Sequence, residues 1–198
     1  LAVEALKKEY PEAKCSLVYD KPYELLIATR LAAQCTDARV NIVTKDLFAK
    51  YKSIKDFADA NVLDVEKIIR SCGFFRMKAK DIVNMCQIIH DKFDDKVPDN
   101  MEDLLLLPGI GRKTANLILG DIYNQPAIVV DTHCIRLTHR FGLHDTNIPE
   151  KVENILKDLL DPSESNDFCH RLVLHGRAVC TSRAPKCKIC SMKNFCEK

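Results

Sequence analysis

Apolar residues return every three or four positions along almost the whole chain, and every second position almost nowhere. That is the period of helices rather than strands. Pro22 can open a helix at its first turn, with Leu25, Leu26, Thr29 and Ala32 or Ala33 following on one face. Asp37 reads as an N-cap ahead of Val40, Val43, Leu47, Phe48 and Tyr51. Ser53 and Asp56 have the spacing of a capping box for a short helix. Val65, Ile68, Ile69 and Cys72 line the next one, which Gly73 is placed to end in a left-handed cap. A longer helix carries Ala79, Ile82, Val83, Cys86, Ile89 and Phe93 before Pro98, and Asn100 with Asp103 could cap one bearing Leu104 to Leu107. Val152, Ile155, Leu156 and Leu159 define another, and Phe168 to Val179 a further one. Only Ala127 to Val130 resembles a strand, and it has no evident partner. The pattern predicts an all-α protein, without internal repeats or Gly/Ser linkers.

A length of 198 residues admits one large domain or two small ones. No run approaches the ~20 apolar residues that a membrane helix needs. The charged start, Leu1 to Glu9, lacks a cleavage-site pattern and does not read as a signal peptide. These features predict a cytoplasmic chain with no membrane partner. The formal net charge of +2 does not announce a nucleic-acid partner, but its distribution says more. From Phe168 onward Arg171, Arg177, Arg183, Lys186, Lys188, Lys193 and Lys198 stand against Glu197 alone. This basic stretch surrounds a cluster of cysteines, where it could face phosphates or balance anionic thiolates.

Cys180, Cys187, Cys190 and Cys196 are separated by six, two and five residues. Four thiolates in one short loop build little hydrophobic core but can wrap a metal centre, and soft thiolates select zinc or iron–sulfur clusters. Structural zinc sites usually hold two tight pairs, whereas only Cys187 and Cys190 are close here. The wider spread of the outer two suits a [4Fe–4S] cluster. Disulfides are the alternative. Against them, Cys15, Cys35, Cys72, Cys86, Cys134 and Cys169 are scattered singly among apolar residues, as reduced cysteines are.

The densest motif is Leu107-Pro108-Gly109-Ile110-Gly111-Arg112-Lys113-Thr114-Ala115, leading into the apolar face of Leu117, Ile118 and Leu119. One helix ends, a glycine turn reverses the chain, and another helix begins. Gly109 and Gly111 permit positive φ angles and leave backbone amides bare, a ready site for a phosphate beside a helix N-terminus. A plain αα-turn is the alternative. Arg112 and Lys113 then sit in a first turn, where the helix dipole disfavours cations by roughly 0.3–1 kcal/mol. Arg112 is explained as a phosphate contact. Lys113 could be another, or a partly buried amine that the same field keeps neutral and nucleophilic. Asp131, in Val129-Val130-Asp131-Thr132-His133, follows an apolar run and reads as an N-cap, yet it could also present its carboxylate in a cleft. Together Lys113 and Asp131 look like an amine nucleophile with an acidic partner. His133 reads as structural.

Leu31-Ala32-Ala33-Gln34-Cys35-Thr36-Asp37, the hairpin Leu107 to Asn116, Val130-Asp131-Thr132-His133, Leu174-His175-Gly176 and the cysteine spacing together resemble the endonuclease III family. These are bifunctional DNA glycosylases of the helix–hairpin–helix superfamily, and the resemblance covers essentially the whole chain. It implies a six-helix barrel at 16–125 and a helical cluster domain made of 1–15 and 126–198. It further implies a monomer, associated with the nucleoid, that acts on double-stranded DNA with a damaged base or an abasic site. Oxidised pyrimidines would be removed and the strand cut by β-elimination through a lysine Schiff base. Lys113 occupies the family's nucleophile position and Asp131 that of its assistant. Gln34 matches the residue that fills the gap left by the extruded base. Phe74 matches the residue that wedges into the opposite strand, although members often carry an aliphatic group there. Gly109, Gly111, Arg112, Arg183 and Lys186 would hold the DNA backbone. Arg183-Ala184-Pro185-Lys186 stands where members often have consecutive basic residues. The four loop cysteines would bind a [4Fe–4S] cluster. A monofunctional mismatch glycosylase would carry serine or tyrosine in place of Lys113. A DNA-binding module with a structural metal would need no nucleophile at all.

Overall fold

The computed structural model describes residues 1–197, and Lys198, the last of the basic residues near the cysteines, lies outside them. The described residues contain no strand. The helices are α1 (Ala2–Glu9), α2 (Pro22–Ala32), α3 (Asp37–Lys50), α4 (Ile54–Ala58), α5 (Val62–Ile69), α6 (Phe75–Phe93), α7 (Met101–Leu105), α8 (Arg112–Asp121), α9 (Thr132–Arg140), α10 (Pro149–Leu159) and α11 (Ser165–Ala178). Short 3-10 turns lie at Pro162–Glu164, Cys187–Ile189 and Lys193–Phe195. They divide into two compact units, Ser16–Tyr123 and a second formed by Leu1–Cys15 with the chain from Asn124 onward.

In the first unit α2 is apolar nearly all round and forms the centre, with Leu25, Leu26, Ile27, Ala28 and Leu31 all sealed from solvent. Each buried Leu or Ile stabilises the fold by about 1.5–3 kcal/mol. The long α6 turns Ala79, Ile82, Val83, Cys86 and Ile89 inward and packs against α4 and α5. Pro22 opens α2 as its fixed φ suggests. The Ser53 and Asn100 caps form, each accepting a backbone N–H, at 3.0 and 2.9 Å. Two expectations shift. Thr36, not Asp37, caps α3, accepting from Arg39 N, and Asp37 moves into the first turn where its carboxylate meets the positive end of the helix. Gly73 is left-handed (φ +39) but does not cap α5, which ends at Ile69 with Arg70 in right-handed geometry. An extra turn, closed by Cys72 N on Ile69 O, buries Cys72 first, so Gly73 bends the entry to α6 instead.

In the second unit α11 packs against both α1 and α9. A Cβ on Gly176 would lie 2.4 Å from His133 Nδ1, so glycine there permits the close approach of α9 and α11. The strand-like run Ala127 to Val130 is buried but pairs with no strand; Val129 N instead donates to Cys169 Sγ at 3.3 Å. Arg171 also departs from expectation. It is 3% exposed and held by Glu164 at 2.8 Å and Asp167 at 3.0 Å, so it braces α11 from inside and belongs to no phosphate-facing surface.

Candidate active site

The turn between α7 and α8 is anchored by buried Leu107 and Ile110, with Ile110 N donating to Leu107 O. Gly109 adopts φ +76, and a Cβ there would fall 2.2 Å from Arg30 Nε and 2.9 Å from Asp81 Oδ2. Arg30 and Asp81 form a mostly buried ion pair at 2.6 and 2.8 Å that supports the hairpin from below. Gly111 differs: its φ of −107 suits any residue, and a Cβ would meet nothing within 4 Å. Only one of the two glycines therefore uses positive φ. Gly111 is the N-cap of α8 and has no side chain to close its first turn, so backbone amides face open space at the positive end of the helix. Arg112 and Lys113 are both exposed there, and Lys113 lacks the partial burial that its sequence context suggested.

A second cluster lies in the same unit. Gln34, exposed in the turn after α2, and Phe74, 62% exposed ahead of α6, both adopt left-handed backbone at φ +55 and +51. Such geometry costs about 1–3 kcal/mol per non-glycine residue and gathers at functional sites. The two turns are neighbours: a Cβ on Gly73 would sit 3.9 Å from Gln34 O. The backbone thus brings together two residues that are 40 positions apart in the chain. Beneath them the buried Lys78 ammonium bonds to the last turn of α2 at Leu31 O and to the turn before Phe74 at Cys72 O, contacts that no sequence motif announced.

In the second unit Asp131 is half-buried and caps α9, its Oδ1 accepting from Cys134 N at 2.7 Å. The cap fixes the carboxylate at the end of a buried run. His133 is structural, receiving an N–H from Arg136 at 3.0 Å. Cys180, Cys187, Cys190 and Cys196 line one pocket, together with Arg140, Pro185 and Lys186 among others. Arg140 Nη1 donates to Cys180 Sγ at 3.0 Å and His175 Nε2 lies 3.3 Å from Cys190 Sγ. His175 itself is fully buried, with Tyr10 OH at 3.2 Å and Glu9 at 3.5 Å on its other nitrogen. Its motif, Leu174-His175-Gly176, was visible in sequence, but the partners that give His175 a role were not. Among the described residues no three of His, Cys, Asp or Glu gather tightly enough for a single metal ion. Arg183 and Lys186 are exposed on the same loop.

The family model for base-excision DNA repair proteins of the HhH-GPD superfamily matches residues 27–162. An endonuclease III from Synechocystis sp. is 45% identical over 96% of this chain and 88% of its own length. The chain belongs to the endonuclease III family. A second relative, endonuclease III from Rickettsia conorii, is 39% identical over 98% of this chain and 92% of its own. Among solved structures, a trapped endonuclease III–DNA covalent intermediate superposes with a TM-score of 0.93 at 39% identity, covering 98% of this chain and 92% of that one. As an endonuclease III family member, the chain is a base-excision DNA repair enzyme, a DNA glycosylase with abasic-site lyase activity.

Proposed function

We propose that this enzyme removes oxidised pyrimidines from duplex DNA and cuts the strand at the abasic site through a Schiff base on Lys113. The observation that carries this reading is the place of Lys113, an exposed amine in the first turn of α8, directly after a hairpin whose bare amides suit a phosphate. Damaged bases stack poorly, so extruding one costs less than the few kcal/mol of an intact pair. Gln34 would fill the vacated space and Phe74 would wedge into the opposite strand. Lys113 Nζ, as the free amine, would then donate its lone pair to form a bond to C1′, while the base leaves with the pair of the broken glycosidic bond and takes up the proton that the new ammonium sheds. Asp131, held by its bond to Cys134 N, would stabilise the positive charge that grows on the sugar. Ring opening gives the Schiff base; loss of a C2′ proton expels the 3′ phosphate and breaks the strand. Gly109, Gly111 and Arg112 would grip the backbone without reading sequence, and Arg183 and Lys186 would add phosphate contacts.

Cys180, Cys187, Cys190 and Cys196 would hold a [4Fe–4S] cluster. Their shared pocket and the nitrogens of Arg140 and His175 beside the sulfurs support that fit. When bound, the cluster supplies a rigid anchor for the basic loop. Borohydride trapping tests the reading: covalent adducts should form with duplexes carrying an oxidised pyrimidine or an abasic site, and not with undamaged duplex. Adducts absent from every substrate, in enzyme that still binds DNA, would refute it.

A further inference from the structure

Lys78 is 1% exposed in α6, and none of the chemistry above uses it. Its ammonium donates to Leu31 O at 2.8 Å and to Cys72 O at 2.6 Å. Leu31 stands three residues before Gln34 and Cys72 two before Phe74. One buried cation thus ties the last turn of α2, from which the Gln34 turn springs, to the turn that carries Phe74; both exposed tips are in left-handed backbone. Burial pushes Lys78 below the usual lysine range, while the thiols of Cys35 and Cys72 oppose that shift. A buried ammonium is costly, and an apolar chain of similar length would fill the same volume. What methionine cannot do is donate to two carbonyls on different segments at once.

We infer that Lys78 is a positioning residue that joins the Gln34 and Phe74 turns into one rigid probe, so that both enter the duplex together. The inference rests on the roles proposed for Gln34 and Phe74. It makes Lys78 matter where a paired base has to be displaced and not where the base is already gone.

The test uses the full, cluster-loaded chain. Extrusion is followed by 2-aminopurine fluorescence in a duplex bearing a paired oxidised pyrimidine, and lyase chemistry by single turnover on a preformed abasic site. Lys78→Met should slow extrusion by about tenfold, the worth of one charge-assisted hydrogen bond, and leave abasic-site cleavage within about twofold. Lys78→Arg, which keeps donors, should recover part of the extrusion rate. Adding Gln34→Ala to Lys78→Met should slow extrusion less than the two single effects multiplied, because both remove one unit. Equal losses on both substrates, or full multiplicativity, would overturn the inference. If Lys78→Met does not fold, hydrogen exchange in the wild type decides: the amides of 33–36 and 71–74 should open with one common free energy, and unrelated values would refute the coupling. If Gln34→Ala and Phe74→Ala leave extrusion unchanged, their proposed roles fail. If they slow it while Lys78→Met does not, the Lys78 inference alone fails.

Discussion

Asp131 caps α9 and, in the proposed mechanism, also faces the sugar cation, two tasks that substitution can separate. Asparagine caps helices about as well as aspartate, so Asp131→Asn should keep the bond to Cys134 N and leave the unfolding midpoint within about 1 °C, given a ΔΔG of a few tenths of a kcal/mol. Base excision should nevertheless fall about 10²–10³-fold, because the charge opposite the developing sugar cation is gone. Lys113→Gln should abolish trapping and strand cleavage while DNA binding, read by fluorescence anisotropy, stays near wild type. A trapped complex at an unchanged rate would make another amine the nucleophile. The hairpin glycines should also part company. Gly109→Ala faces positive φ and the Arg30 side chain, and should lower stability by more than about 1 kcal/mol. Gly111→Ala should fold normally yet weaken binding to damaged and undamaged duplexes alike, since its methyl would occupy the space a phosphate needs. Sequence alone made both glycines part of a turn but could not say which one was conformationally required. That depends on Arg30 and Asp81, distant in the chain and drawn under the hairpin by packing.

At the scale of elements, periodicity located most of the longer helices, because each has to bury one face. Boundaries were less legible: whether Thr36 or Asp37 caps α3 turns on which side chain reaches Arg39 N. Ala127 to Val130 had strand composition, yet with no second strand nearby its apolar groups are simply packed into the core and its amide takes a sulfur. The charge census around the cysteines overstated the basic surface, since Arg171 is spent on Glu164 and Asp167. This brace has a pH signature. Lys7, then Arg171, hold the Glu164 carboxyl below its ordinary value. A depressed carboxylate contributes stability that is fully present above the ordinary value of 4.5 and is lost as pH falls through the folded one. Thermal unfolding from pH 7 down to pH 3 should therefore show a steeper loss in the wild type than in Glu164→Gln. Parallel curves would mean that the pair adds nothing to the junction of α1, α11 and the Pro162–Glu164 turn.

For the molecule as a whole, the purified protein should be yellow-brown, with broad visible absorption and about four irons per chain. A colourless, zinc-loaded and fully active preparation would defeat the cluster assignment. Removing the iron should loosen the loop from Cys180 to Cys196, whose regular structure is limited to two 3-10 turns, more than it loosens residues 16–123. The second unit begins and ends the chain: α1 lies against α11, more than 150 residues later. On a ribosome adding about 5–20 residues per second, α1 would wait roughly 8–30 s for its partner to be made. Residues 16–123 can complete their own packing during that interval. The glycine hairpin and the Gln34 and Phe74 turns would thus be made well before α11, the partner of α1. A chain stalled once residues 16–123 are clear of the ribosome but before α11 emerges would expose α1 without its partner, a ready target for proteolysis.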